Sequence, residues 1–177
     1  MNITTTQGLV HYYYGDGKGK TSAALGMAVR HLGYGRSVFI VQFLKNRPCG
    51  EVSFLATQPL VTLLRGKVGD GLPSRLSDIE RQETRTLQDA NLRQAILAAP
   101  TTSLLVLDEV SDAVRLELVC AKNLFHFLQN KPEHIEIVMT GHRPQQEFCA
   151  IADYVSEVRK EKHPFDRGIT AREGIEY

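Results

Sequence analysis

The segment Gly15-Asp16-Gly17-Lys18-Gly19-Lys20-Thr21-Ser22 constrains this chain more than any other. It follows LVHYYY at 9 to 14, a run rich in β-branched and aromatic residues that reads as a strand. It opens KTSAALGMAVRHL at 20 to 32, where Leu25, Ala28, Val29 and Leu32 recur at helical spacing before Gly33. A glycine-rich turn from strand to helix lets backbone N–H groups curl toward phosphate oxygens, with the positive end of the helix dipole behind them. In such a loop Lys20 neutralises terminal phosphate charge and the Thr21 hydroxyl ligates Mg²⁺. The spacing departs from G-x-x-x-x-G-K-[ST] in one place: five residues before Gly19 stands Tyr14, so Gly15 and Gly17 supply the flexibility.

The rest of the chain alternates in the same way. SVFIVQFL at 37 to 44 is apolar almost throughout, as a strand covered on both faces must be. A short helix at 51 to 56, a strand at 60 to 64 and a loop, GKVGDGLP, at 66 to 73 follow. Ser77 and Glu80 have capping-box spacing and open a polar, largely exposed helix that runs to Ala98. Further strands are expected at 103 to 107, 135 to 140 and 154 to 158, with helices at 113 to 129 and 144 to 152. Parallel neighbours need crossovers, so the pattern implies an α/β fold of P-loop NTPase type, a mostly parallel central sheet with helices on both faces. No repeat, low-complexity tract or linker divides residues 1–177, which read as one domain. Ligands then belong at the carboxyl ends of the strands.

LLVLDE at 104 to 109 is an apolar strand ending in two carboxylates, Asp108 and Glu109. Beside a phosphate loop, such carboxylates bind Mg²⁺ directly or through water. The two motifs together make an ATP·Mg²⁺ site without identifying the reaction: cleavage at the γ-phosphate by an ATPase or kinase, or binding without catalysis, remain open. The net charge of +1 provides no global field for nucleic acid or anionic lipid, so an anion must be held locally. No apolar run approaches the ~18 residues of a membrane helix, and the first residues lack the pattern of a secretory signal. Cys49, Cys120 and Cys149 form no CxxC pair and read as ordinary thiols, consistent with a cytoplasmic protein. His11, His31, His126 and His134 show no metal-ligand spacing and read as structural.

The chain resembles the ATP:corrinoid adenosyltransferases of bacterial cobalamin synthesis and salvage. The resemblance rests, in order along the chain, on GLVHYYYGDGKGKTSAALGMAVRHLGYG at the N-terminus, VQFLK at 41 to 45, VLDE at 106 to 109, KPEHIEIVMTG at 131 to 141 and KHPFDRGITAREGIEY at 162 to 177. It implies transfer of the 5′-deoxyadenosyl group of ATP to the cobalt of a reduced corrinoid, with release of triphosphate. The nucleotide would lie in the loop reversed relative to kinases, exposing C5′.

Carried over by position, the resemblance assigns Gly15, Asp16, Gly17, Lys18, Gly19, Lys20, Thr21 and Ser22 to the nucleotide, and Arg30 of the first helix to its vicinity. Lys18 and Lys20 would neutralise the leaving triphosphate. Mg²⁺ would be held by Thr21 and Glu109, with Asp108 in support, and His163 and Phe165 would lie against the corrinoid. A flavoprotein reductase and a homodimer are further implied. The chain also departs from the family pattern. GKVGDGLPSR at 66 to 75, placed where the family has a loop with aromatics, has none; Ser111-Asp112 stands where a polar residue and tyrosine are usual; His142 precedes Arg143 where arginine usually follows TG; and only seven residues precede Gly8, which leaves no longer N-terminal lid.

Overall fold

The strand before the glycine-rich turn, β1 (Val10–Tyr14), runs into helix α1 (Lys20–Gly33) in a computed structural model that describes residues 7–69 and 75–177. Then come β2 (Val38–Phe43), α2 (Gly50–Leu55), β3 (Val61–Gly66) and the long α3 (Asp78–Ala98). The second half adds β4 (Leu104–Asp108), α4 (Val110–Arg115), α5 (Ala121–Gln129), β5 (Glu136–Thr140), α6 (Gln146–Ile151) and β6 (Tyr154–Glu157). The strands form one sheet in the order β3-β2-β4-β5-β1-β6, and every pairing among the described residues is parallel. The α/β reading is therefore correct, and the sheet is parallel throughout these residues.

Side chains alternate across a strand, and the alternation sorts the core into two layers. Tyr12, Phe39, Val41, Leu105, Leu107 and Met139 face α3, α5 and α6, while Val38, Ile40, Leu104, Val106 and Val138 face α1 and α2. Strand β4 is buried along its whole length, and each of its leucines contributes about 2 kcal/mol by leaving water. The order brings the phosphate-loop strand β1 within one strand of β4, with β5 between them. The carboxyl ends of all three meet on one edge of the sheet.

Two expectations need correction. The single helix read over 113 to 129 is two helices, because the chain turns at Glu117 (φ 58°). Leu118 N–H donates to Ala113 O and Glu117 N–H to Val114 O, the paired bonds of a Schellman stop, and Leu118 is drawn fully into the core. Cys120 N–H, the next orphan donor, is taken by Asp89 Oδ1 at 2.8 Å. Helix α3 begins with the expected capping box at Ser77 and Glu80 but is less exposed than its polarity suggests: Thr84, Gln88, Asn91, Leu92 and Ala95 are buried against the sheet. Of the loop expected at 66 to 73, positions 70–73 lie outside the described residues.

Candidate nucleotide and corrinoid site

The phosphate loop is shaped by what packs on it. Gly15 (φ 121°) lies so close to the chain leaving β6 that a Cβ there would come within 2.2 Å of Val158 O, and Gly19 (φ 118°) takes the left-handed turn into α1. Gly17 N–H donates to Val158 O at 2.8 Å and Gly15 N–H to His142 O at 3.1 Å. Asp16 turns outward, accepts from Lys160 N–H at 2.9 Å and has its carboxyl lowered by that bond, so here it fastens the segment after β6. Lys20 rests on Gly17 O at 2.7 Å, and burial lowers its ammonium below the usual lysine value. The exposed Ser22 lines a cavity beside the loop.

Asp108 is fully buried, and both its oxygens are occupied. Oδ1 accepts from the hydroxyls of Thr21 at 3.0 Å and Thr140 at 2.7 Å; Oδ2 accepts from Gln42 Nε2 at 3.1 Å and Lys45 Nζ at 2.7 Å. Gln42 is the register partner of Asp108 across β2 and β4, and Thr140 ends β5. Two non-glycine residues with positive φ complete the cluster. Leu44 (φ 61°) folds the chain back after β2 so that Lys45 reaches Asp108, and Glu109 (φ 61°) turns the chain from β4 into α4. Each such residue costs on the order of 1 kcal/mol or more, a strain that recurs at functional sites.

The Lys45 ammonium lies 2.9 Å from Thr21 Oγ1, 2.7 Å from Asp108 Oδ2 and 3.5 Å from Glu109 Oε1. Burial alone would depress Lys45, but Asp108 and Glu109 outweigh it and hold the ammonium above its usual value. Burial pushes the Glu109 carboxyl up. Three hard oxygen donors thus converge on a cation, which fits Mg²⁺: that ion is bound by one or two carboxylates and completes its shell with phosphate oxygens and water. Among the described residues no group of three or more His, Cys, Asp and Glu could hold a metal without such help.

A cavity of about 800 Å³ joins the phosphate loop to Lys45, Glu109, His142 and the C-terminal residues. Lys18 points to that tail and donates to Glu176 Oε1 at 2.6 Å, while Arg172 holds the same carboxylate. His163 lines this cavity and a smaller adjoining one that is also lined by Phe165, a residue 73% exposed. His163 Nδ1 accepts from Phe165 N–H at 3.1 Å, starting the 3-10 turn that presents the ring. Arg30 is not brought into this assembly: it lies exposed in the last turn of α1, ten residues beyond Lys20, or roughly 15 Å along the axis. Lys45, Gln42 and Thr140 were not singled out individually by sequence reasoning. The visible signal was a polar residue at or beyond the carboxyl end of an apolar strand next to β4.

With that geometry in place, the chain's relatives are informative. Residues 6–177 match the family described as ATP:corrinoid adenosyltransferase BtuR/CobO/CobP. The corrinoid adenosyltransferase CobA of Salmonella typhimurium is 31% identical over 172 residues, covering 97% of this chain and 86% of that protein. The corrinoid adenosyltransferase of Pseudomonas aeruginosa is 31% identical over 97% of this chain and 84% of its own length, and that of a Sinorhizobium species 28% identical over 98% and 82%. A match that spans both the phosphate loop and the C-terminal tail places this chain in the ATP:corrinoid adenosyltransferase family.

Proposed function

We propose that the chain transfers the 5′-deoxyadenosyl group of ATP to the Co(I) centre of a reduced corrinoid and releases inorganic triphosphate. The observation that carries this reading is the cavity in which the phosphate loop, Glu109 after β4 and the C-terminal segment with His163 meet, with Phe165 in the smaller cavity adjoining it. The electron pair of Co(I) forms the bond to C5′ as the C5′–O5′ bond breaks and its pair leaves on the triphosphate. Co(I) is already a strong nucleophile, so no side chain has to remove a proton. The protein's work is alignment and charge neutralisation.

Lys20, the loop N–H groups and Lys18, once Glu176 releases it, would hold the triphosphate. Thr21 and Glu109 would hold Mg²⁺, with Asp108 orienting Thr21 from behind, since its own oxygens are already occupied. Bound there, Mg²⁺ would neutralise phosphate charge and make the triphosphate a better leaving group. The exposed ring of Phe165 offers an apolar face to the corrinoid macrocycle, with His163 beside it. Arg30 would act only on a part of the nucleotide that extends along α1.

We further assign residues 1–177 to one domain working in the cytoplasm, where ATP is plentiful and the three free thiols stay reduced. No helix of the described residues is long and apolar enough to cross a membrane. The net charge of +1 suits small-molecule substrates better than nucleic acid. Ile175 lines the cavity and Phe165 the smaller one beside it, and both are exposed, which suits a homodimer whose second subunit closes over them. A reduced flavoprotein would supply the electron that makes Co(I). The test is product identification with ATP, Mg²⁺ and chemically reduced cobalamin: triphosphate with a new Co–C bond supports the reading, and ADP with phosphate would overturn it in favour of γ-phosphate chemistry.

A further inference from the structure

Beyond Lys18, Lys20 and Lys45, the cavity is lined by an imidazole on a different element. His142 follows Gly141 at the carboxyl end of β5, and its Nδ1 lies 2.9 Å from Asp112 Oδ2. The His142 N–H donates to the same oxygen at 2.7 Å, and Arg115 donates to Oδ1 at 3.2 Å. The Asp112 side chain is 6% exposed, whereas the imidazole is 58% exposed and lines the cavity beside Lys20 and Glu109. Among the described residues its Nε2 has no hydrogen-bond partner. The ring is therefore fixed from one side and open on the other.

Several contacts hold this pair in place. The buried Tyr12 hydroxyl donates to Arg143 O at 2.9 Å and can accept from the Ser111 hydroxyl at 3.0 Å, linking the residues next to Asp112 and His142. At Gly141 a Cβ would fall within 1.6 Å of Ser111 Oγ, so the start of α4 and the end of β5 are in direct contact. His142 O accepts from Gly15 N–H, which ties the same residue to the phosphate loop. The hydrogen bond to Asp112 raises His142 above the usual imidazole value; Glu109 acts in the same direction, and partial burial and Lys20 oppose it. Arg115 and Arg143 are the other charged groups close to the pair in the chain.

We propose that His142, oriented by Asp112, is a phosphate-binding residue of the nucleotide site, its Nε2–H donating to a phosphate oxygen and its charge stabilising the triphosphate as it leaves. The inference rests on the nucleotide reading of the cavity. It assigns the ligand class as linear polyphosphate. A histidine that served only to brace β5 against α4 would need its Nδ1 side alone and would not affect anion affinity.

The test uses inorganic triphosphate as the probe, with binding measured by calorimetry on the full chain at about pH 6 and about pH 8.5, on either side of an ordinary histidine titration. His142→Gln is expected to weaken binding about tenfold at the lower pH, the scale of one hydrogen bond to a charged group. His142→Arg should keep the affinity and remove the imidazole's share of the pH dependence. The ratio of wild type to His142→Arg cancels the titration of the probe itself, and it should fall as pH rises through the raised imidazole value. Asp112→Asn should move that fall to lower pH. A His142→Gln protein that binds as tightly as wild type at the lower pH, while Lys20→Ala binding is lost, overturns the role of His142 and leaves the nucleotide site standing. If His142→Gln does not fold, a pH dependence in His142→Arg equal to that of wild type overturns it instead. Failure of the wild type to bind triphosphate at all overturns the nucleotide reading and this inference with it.

Discussion

The Lys45 ammonium lies 2.7 Å from the carboxylate of Asp108, a residue with no exposure to solvent, and it reaches that position because Leu44 turns the chain back with a positive φ. Removing one partner of a buried pair leaves the other charge uncompensated. Lys45→Met is therefore expected to lower stability by about 3 kcal/mol, the low end of the range because Lys45 retains some exposure. Urea unfolding measures this, and a change within about 0.5 kcal/mol, the size of an ordinary surface substitution, would show that the pair adds nothing.

The start of α3 offers a local test. Ser77 Oγ accepts from Glu80 N–H at 3.3 Å and Glu80 Oε2 accepts from Ser77 N–H at 2.9 Å. Ser77→Ala should cost about 1 kcal/mol in urea unfolding. An unchanged midpoint would mean that the cap forms without stabilising the helix.

Glu117 occupies a left-handed position that glycine takes without strain. Its contact with Arg81 is 3.9 Å long and exposed, and such pairs contribute little. Glu117→Gly is expected to stabilise the protein by about 0.5 to 1 kcal/mol. Loss of stability on this change would argue that the side chain has a role the geometry does not reveal.

Phe165 presents a largely exposed ring on the turn begun by His163. Phe165→Ala should raise the KM for corrinoid severalfold and leave ATP affinity within about twofold, because an aromatic contact with an apolar face is worth on the order of 1 kcal/mol. Equal losses for both substrates would remove its special relation to the corrinoid.

What the sequence revealed followed from local chemistry. The glycine-lysine turn, the apolar β4 ending in Asp108 and Glu109, and the cap at Ser77 each carry their signal within a few consecutive residues. The break at Glu117 was hidden because its stop lacks glycine, so helical spacing appears continuous from Ala113 to Gln129. Burial of Gln88 and Asn91 was hidden because their surroundings on the sheet are tertiary. Lys45, Thr140 and Gln42 surround Asp108 only because β2, β4 and β5 are neighbours, an order set by long-range pairing. The placement of Glu176 on Lys18 likewise joins positions at opposite ends of the chain.

The central claim concerns which bond of ATP breaks, and product identification tests it most directly. Wild type and Lys20→Ala would be incubated with ATP, Mg²⁺ and chemically reduced cobalamin, and the phosphorus products and the cobalt–carbon chromophore followed together. The account predicts triphosphate and adenosylated corrinoid in equal amounts from wild type, and a loss of at least about 100-fold in rate for Lys20→Ala, the scale of one group stabilising a developing oxyanion. ADP and phosphate without a cobalt–carbon bond, or undiminished turnover by Lys20→Ala, would contradict it.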